Sequence, residues 1–400
     1  MSNFRPVDTS MLSRAFDFQS KNFSGVILKK PVAVILRPKD GVVGIDSEPE
    51  SGSNHQILID LGKTLERMLT LNPDEFRRLV RKTPGQEDIE VPEDFNASTY
   101  NFSQVGDFCL RSQLDCVYGG NKIFDLKTRA THAIRNSFAY PVAEGKDPRD
   151  VYKPFVESYK IKQQNGLYNS FEREVYDMMR SAFLKYSLQL RIGRMHGAFV
   201  TYHNTAEIFG FQYLALSTID KMIFGSPAMA ETHFSNSATI LSTILDNVLR
   251  NYPKDSTLRM SMLPLGNSRA LVVESRPVVS ESRKDPAPGT KDDPVYKFEF
   301  GEPSTWIVWV RTFINGVECQ EPWFWKKEDK FEVKYCIVKS DECESLKGHN
   351  LSELLAYSYD KTNTKPPKWQ RMAEQKRGEE RRKEREQKES GAIDQMAQDS

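Results

Sequence analysis

The chain is poor in cysteine. Its five, at positions 109, 116, 319, 336 and 343, are scattered, odd in number and never spaced as a CxxC pair. That spacing excludes a zinc-ribbon site and leaves reduced thiols as the expectation. Long apolar runs are missing too. No stretch approaches the roughly 18 residues a transmembrane helix needs, so any membrane association is expected to be peripheral. No secretory h-region opens the sequence. Net charge is nearly absent, at +1 from 56 basic and 55 acidic residues. Phosphate contacts would therefore have to be local. No internal repeat is visible.

What is present is enough chain, 400 residues, for two or three domains. "PVAVILRP" reads as a short strand. "NHQILIDLGKTLERMLTL" reads as an amphipathic helix burying Ile57, Leu61, Leu65, Met68 and Leu69. A polar helix and a Pro-rich connection follow over 73–95. "SFEREVYDMMRSAFLKYSLQLRI" reads as one long helix, capped by Ser170 and ended by Gly193, and "GAFVTYHN" as a strand. A helix over about 236–251 precedes short strands near 257–264 and 269–275. "SESRKDPAPGTKDDP" marks a linker, 276–295. Antiparallel strands with an Asn315-Gly316 turn are expected beyond it, then a charged tail from 366, either helical or disordered. The expected division is an N-terminal extension (1–50), a core (51–275), the linker, a mainly β extension (296–365) and the tail (366–400). Helices alternating with strands define an α/β core.

The chemistry gathers in "QLDCVYGGNKIFDLKTRA", residues 113–130. A hairpin symmetric about Gly120 sets Asp115 opposite Asp125, Gln113 opposite Lys127 and Arg111 opposite Arg129, all on one face. Two carboxylates so placed are roughly 4.5–5.5 Å apart at Cβ and repel. A raised carboxylate pKa, the neighbouring cations, or a divalent cation held between them would relieve that repulsion. The same charges also suit a solvated hairpin face. If the helix over 57–70 packs on this sheet, Glu66 can direct its carboxylate at the two aspartates.

A helix glutamate, a strand aspartate and D-x-K on the next strand, here Glu66, Asp115 and Asp125-Leu126-Lys127, resemble the PD-(D/E)XK nuclease superfamily. "FRPVDTSMLSRAF", "LGKTLERMLTL", "RSQLD", "FDLKTRA", "SFEREVYDMMRSAFLKYSLQLRIGRM" and "FVTYHNTAEIFGFQYLAL" carry a more specific likeness. Together they resemble the fungal mitochondrial membrane-associated RNA-processing family, petite-complementing factors linked to 5′-end trimming and decay of mitochondrial transcripts. The likeness covers roughly residues 4–275, and His196 stands where that family's pattern leads one to expect an acid. Asp8 and Asp17 among Arg5, Arg14 and Lys21 make a poor presequence, and because the likeness begins almost at residue 4 a targeting segment is expected either to lie upstream of this sequence or to have been lost.

The resemblance implies a restriction-endonuclease-like mixed sheet flanked by helices. It implies a metal-dependent 5′-to-3′ exoribonuclease using Mg²⁺ or Mn²⁺ on single-stranded RNA, with a 5′-monophosphate preferred. Asp115, Asp125 and the Leu126 carbonyl would bind the metal, Glu66 would bind or orient it, and Lys127 would position the attacking water. Arg129, Arg180, Gln189 and Arg194 are candidate substrate contacts, and each also suits an ordinary structural role. The location implied is the mitochondrial matrix, peripheral to the inner membrane, with transcription or RNA-decay proteins as partners. A non-catalytic RNA-binding or membrane-peripheral scaffold on the same fold, and a DNA nuclease of the superfamily, are the alternatives. The "FRRLVRK" patch (76–82) suits a phosphate backbone or a solvated helix face, and Trp323 and Trp325 suit base stacking or packing.

Overall fold

The computed structural model describes residues 6–23, 32–48, 56–80, 99–130, 160–204, 207–265, 270–284, 295–319 and 329–340. In chain order the elements begin with β1 (Val32–Lys39), β2 (Val42–Ser47), α1 (Gln56–Thr70) and α2 (Pro73–Val80). Four strands follow: β3 (Thr99–Val105), β4 (Phe108–Leu114), β5 (Cys116–Tyr118) and β6 (Lys122–Ala130). Then come α3 (Phe171–Ser181), α4 (Phe183–Ile192), β7 (Gly197–His203), β8 (Ile208–Ala215), α5 (Leu216–Phe224) and α6 (Pro227–Arg250). The rest is β: β9 (Leu258–Leu265), β10 (Ala270–Lys284), β11 (Val295–Phe300), β12 (Ser304–Ile314), β13 (Val317–Glu318) and β14 (Phe331–Lys339). None of the described helices is long and apolar enough to cross a membrane.

Two compact units emerge. The first comprises Met1–Lys29, Ser53–Asn251 and Val310–Tyr335. Its centre is a mixed four-stranded sheet in the order β5-β6-β7-β8, parallel between β6 and β7 and antiparallel at the flanking pairs. The parallel pair needs a crossover, and that crossover carries α3 and α4. Their apolar stripes close the core: Val175, Met178, Met179, Phe183 and Leu190 meet Ala198, Val200, Tyr202 and Leu214 of the sheet and Ile219 and Ile223 of α5. Each Val, Leu, Ile, Phe or Met among them contributes roughly 1.5–3 kcal/mol by leaving water.

Local chemistry sets the helix ends. The Ser170 hydroxyl accepts the Arg173 N–H, as the sequence leads one to expect of an N-cap. The helix that follows is two segments, not one. Ser181 Oγ donates back to the Asp177 carbonyl, and the turn breaks at Ala182 (φ −114°). The helix expected over 236–251 starts earlier, at Pro227, where Ser226 accepts the Met229 N–H and proline suits the first turn. On α1, Leu65 is buried but Leu69 is 39% exposed; the side chains of Ile57 and Leu61 lie outside the described residues.

The hairpin expectation is half right. Cys116 faces Phe124 and Tyr118 faces Lys122, the register symmetric about Gly120. The chain then bends at Asp115, and β4 pairs with β3 through a turn at Gly106 (φ +54°). Gln113 and Arg111 are therefore not opposite Lys127 and Arg129, and Arg111 lies over the Tyr100 ring, 4.8 Å from its centroid. This ribbon docks on the end of α4, where Asn101 Nδ2 donates to the Gly193 carbonyl (2.9 Å) and Ser103 Oγ to that of Ile192 (2.7 Å).

The second unit comprises Lys30–Gly52, Tyr252–Trp309 and Cys336–Ser400. In it β2, β1, β9, β10 and β12 form consecutive antiparallel pairs. Arg259 holds Glu48 through two contacts of 2.8 and 3.2 Å. Strand β10 runs on to Lys284, pairing with β11, so the stretch taken as a linker begins as ordered strand. The Asn315-Gly316 turn joins β12 to β13 as expected. The charged tail, Trp323 and Trp325 lie outside the described residues. Of the 76–82 patch, Arg77 is described and pairs at the surface with Asp74 at 3.0 Å.

Candidate active site

Strand β6 projects Asp125, Lys127 and Arg129 from one face by simple alternation. All three are removed from water to different degrees. Asp125 is 1% exposed, while the side chains of Lys127 and Arg129 are 20% and 9% exposed. Lys127 Nζ lies 2.6 Å from Asp125 Oδ2, and 5.9 Å from the centroid of the Tyr186 ring on α4. Gln189, one turn further along α4, donates to Asp125 Oδ1 at 3.1 Å.

Asp115 joins them from the bend before β5. Its Oδ2 accepts the Leu126 N–H at 2.9 Å. The β5 pairing has ended at Phe124, so this carboxylate takes a bond that a neighbouring strand would otherwise make. In an extended strand a residue's N–H and C=O point to the same side. The Leu126 carbonyl therefore faces the side on which Asp115 sits.

Glu66 is half-buried on α1, which approaches β6 closely enough that a Cβ on Gly62 would lie 3.8 Å from Thr128 Oγ1. Burial, then the charge of Asp115, raises the Glu66 pKa, against the opposing pull of Lys127. Asp125 is pushed to about 6, chiefly by burial, with Lys127 lowering it and Asp115 raising it. The three carboxyl groups and the lysine are thus electrostatically one cluster.

The remaining candidates are placed differently. Arg129 Nε lies 3.5 Å from Glu174 Oε2, inside the protein. Arg180 is not at the cluster: it holds the Asn22 carbonyl at 2.7 Å and the Tyr176 hydroxyl at 3.1 Å, fastening the N-terminal segment to α3. Arg194 is exposed in the turn after α4, at φ +51°. Sequence reasoning missed Tyr186 and the partnership of Glu174. Glu174 was legible in principle, because it precedes Met178 by four residues on the buried stripe of α3.

The donor set fits a divalent cation. Asp125 Oδ2 is buried and makes no well-aligned hydrogen bond. Among the described residues no three His, Cys, Asp or Glu side chains already converge as a metal cluster. A cation here would therefore rely on two carboxylates, a backbone carbonyl and water. Mg²⁺ favours such a set, since it keeps several waters and takes one or two carboxylates.

Fold and site thus define a mixed α/β protein with a buried carboxylate and lysine cluster on a central strand. Its sequence matches the family described as "Mitochondrial protein Pet127" over residues 1–246. The chain belongs to that family. It is 34% identical over 264 residues to the "mRNA degradation protein pet127, mitochondrial" of Schizosaccharomyces pombe, covering 64% of this chain and 47% of that protein. It is 36% identical over 232 residues to the "Putative mitochondrial translation system component PET127" of Saccharomyces cerevisiae, covering 56% of this chain and 26% of that protein. The chain therefore spans less than half the length of these curated relatives. Among solved structures, Candida albicans Rai1 in complex with pU5-Mn²⁺ is similar at 12% identity and TM-score 0.29, over 59% of this chain and 61% of that one.

Proposed function

We propose that the chain is a metal-dependent exoribonuclease that shortens single-stranded RNA from its 5′ end in mitochondrial RNA processing and decay. One observation carries the reading: a carboxylate 1% exposed, Asp125, set between Lys127 and Gln189 on the strand that also meets Asp115. A buried carboxylate raised to about 6 beside a specific charged partner is the kind of group that clusters at functional sites.

In this reading Asp115, Asp125 and the Leu126 carbonyl hold Mg²⁺ or Mn²⁺, and Glu66 holds or orients it through water. The chemistry such a cation supplies when bound is neutralisation of charge on the phosphate and a lowered pKa for water. Lys127 orients the attacking water and stabilises charge on the reacting phosphate. Gln189 holds Asp125 in place through its amide. The RNA substrate is supported by kinship with the pet127 of fission yeast, whose name gives mRNA degradation; the 5′-to-3′ direction is what the family resemblance implies. Location in the matrix, peripheral to the inner membrane, and partners among transcription or RNA-decay proteins belong to the same proposal.

A second reading is favoured by a specific contact. Lys127 already lies against Asp125 at 2.6 Å, which neutralises it without metal. On that reading the chain is an RNA-binding scaffold that keeps the fold without the reaction. Purified protein on 5′-labelled and 3′-labelled RNA and DNA, with Mg²⁺, Mn²⁺ or EDTA, separates the two. Cation-dependent loss of nucleotides from the 5′ end of RNA supports the nuclease, and intact RNA in every cation supports the scaffold. Efficient cutting of circular RNA would exclude an exonuclease.

A further inference from the structure

Strand β6 has a second face. Phe124, next to Asp125, points away from the carboxylate cluster by the same alternation that points Asp125 toward it. On that opposite face Leu126 pairs in register with Phe199 of β7, and Phe199 with Tyr213 of β8. Three aromatic rings meet there. Phe124 and Phe199 are 5.3 Å apart, Phe124 and Tyr213 5.7 Å, and Phe199 and Tyr213 5.1 Å between centroids. With Lys122 and His196 they line an open hollow of about 270 Å³. The lining contains no acidic residue.

A glycine lets the Tyr213 ring settle on the strand. A Cβ at Gly197 would come within 2.8 Å of the Tyr213 ring and 2.5 Å of the Leu214 carbonyl, both too close. Without a side chain there, the Tyr213 ring lies against the strand backbone. Tyr213 remains 45% exposed, as do Tyr118 at 71% and Phe211 at 48% on the same face. Large aromatics on an uncovered sheet face are costly in water, and a packing role would bury them.

We infer that this face is a nucleobase-binding platform, on which an unpaired base of single-stranded RNA stacks against Tyr213 and Phe124 while Lys122 meets its phosphate. Complementarity points to this occupant. Aromatic rings offer a π-face to any base, and a neighbouring cation suits the phosphate between bases. Exposed aromatics on a sheet are a general means of holding single-stranded RNA. His196 follows Arg194 in the turn from α4 to β7, so exposed basic groups lie between the helix carrying Gln189 and the platform. The inference rests on the RNA reading of the candidate site, but not on its catalysis.

The test is binding without cleavage. A fluorescein-labelled, 5′-phosphorylated ten-nucleotide oligouridylate is titrated with the 400-residue chain in EDTA at fixed ionic strength. Tyr213→Leu keeps apolar bulk and removes the ring, and affinity should fall about tenfold. Tyr213→Phe keeps the ring and should bind as the parent does. Exposed Lys122 can be removed without disturbing packing, and Lys122→Ala should weaken binding several-fold and reduce its salt dependence. Undiminished binding by both Tyr213→Leu and Lys122→Ala overturns the proposal and leaves the face to a protein partner. Equal losses in Tyr213→Phe and Tyr213→Leu also overturn it, because stacking would not be the cause. A parent protein that binds RNA in EDTA but never cleaves it with Mg²⁺ sinks the nuclease reading and leaves the platform standing.

Discussion

Lys127 Nζ stands 2.6 Å from Asp125 Oδ2, on the same strand face and two residues apart, beneath 20% and 1% exposure. Residues two apart on one strand share a face. Here they share a site that α4 closes with Tyr186 and Gln189. The pair can be a structural ion pair or the two halves of a catalytic arrangement, and substitution distinguishes them. Lys127→Ala should lower cleavage about 10²-fold or more, the scale of losing an electrostatic or acid–base group. Single-turnover rates on 5′-labelled RNA read this directly. A lower melting temperature with an unchanged rate would return Lys127 to the structural role.

Asp125 offers a test that needs no turnover. Burial raises its pKa from 3.8 to about 6, so the native state holds this proton more tightly than the unfolded chain does. The associated stability is fully present below the unfolded value and is lost as pH rises through about 6. Two units correspond to about 3 kcal/mol. In EDTA, the stability of Asp125→Asn relative to the parent should therefore improve as pH rises across that window. Denaturant melts at matched pH values measure the difference. A flat difference would show that Asp125 titrates normally. The same variant keeps volume while removing a ligand, so metal-dependent cleavage should disappear.

Arg129 should act mainly on stability. Its contact with Glu174 is buried on both sides, at 9% and 0% exposure. Removing one member of a buried pair costs about 3 kcal/mol, because the other charge stays behind. Urea unfolding of Arg129→Ala should show a loss of that order. A variant of parental stability whose RNA affinity falls would instead make Arg129 a phosphate ligand.

How much of this was legible in the chain depended on the range of the signal. The Gly119-Gly120 turn fixed the register of three residue pairs because a short hairpin has few alternatives. It could not show that the strand bends at Asp115, since that depends on β4 finding β3, whose alternation misleads: Tyr100 and Phe102 are exposed while Ser103 is buried. Ser170 and Gly193 marked helix ends because capping is local. Arg180 was misplaced because its face on α3 is set by a segment some 158 residues earlier in the chain. Asp125, Lys127 and Gln189 came together as expected, two from strand alternation and the third from the helix over the sheet. The contacts of Arg129 with Glu174 and of Lys127 with the Tyr186 ring were hidden, because helix and strand patterns say which face is inward but not what it meets.

Arg194 carries the last prediction, on which end of RNA is preferred. It is exposed and holds φ +51°, a left-handed backbone that L-residues other than asparagine and aspartate seldom adopt. Glycine would sit there with less strain, so arginine at this turn stands against the backbone preference. A terminal 5′-phosphate carries more charge than an internal diester, and a guanidinium near the end of α4 suits it. Arg194→Gly should therefore fold normally, since relief of strain offsets the added freedom of the unfolded chain. It should nonetheless reduce the preference for 5′-phosphate over 5′-hydroxyl RNA more than it slows overall cleavage. Both substrates must be compared at one ionic strength, because non-specific phosphate binding falls steeply with salt. Equal slowing on the two ends would remove Arg194 from end recognition. A discrimination lost alongside the melting transition would trace the effect to the turn itself.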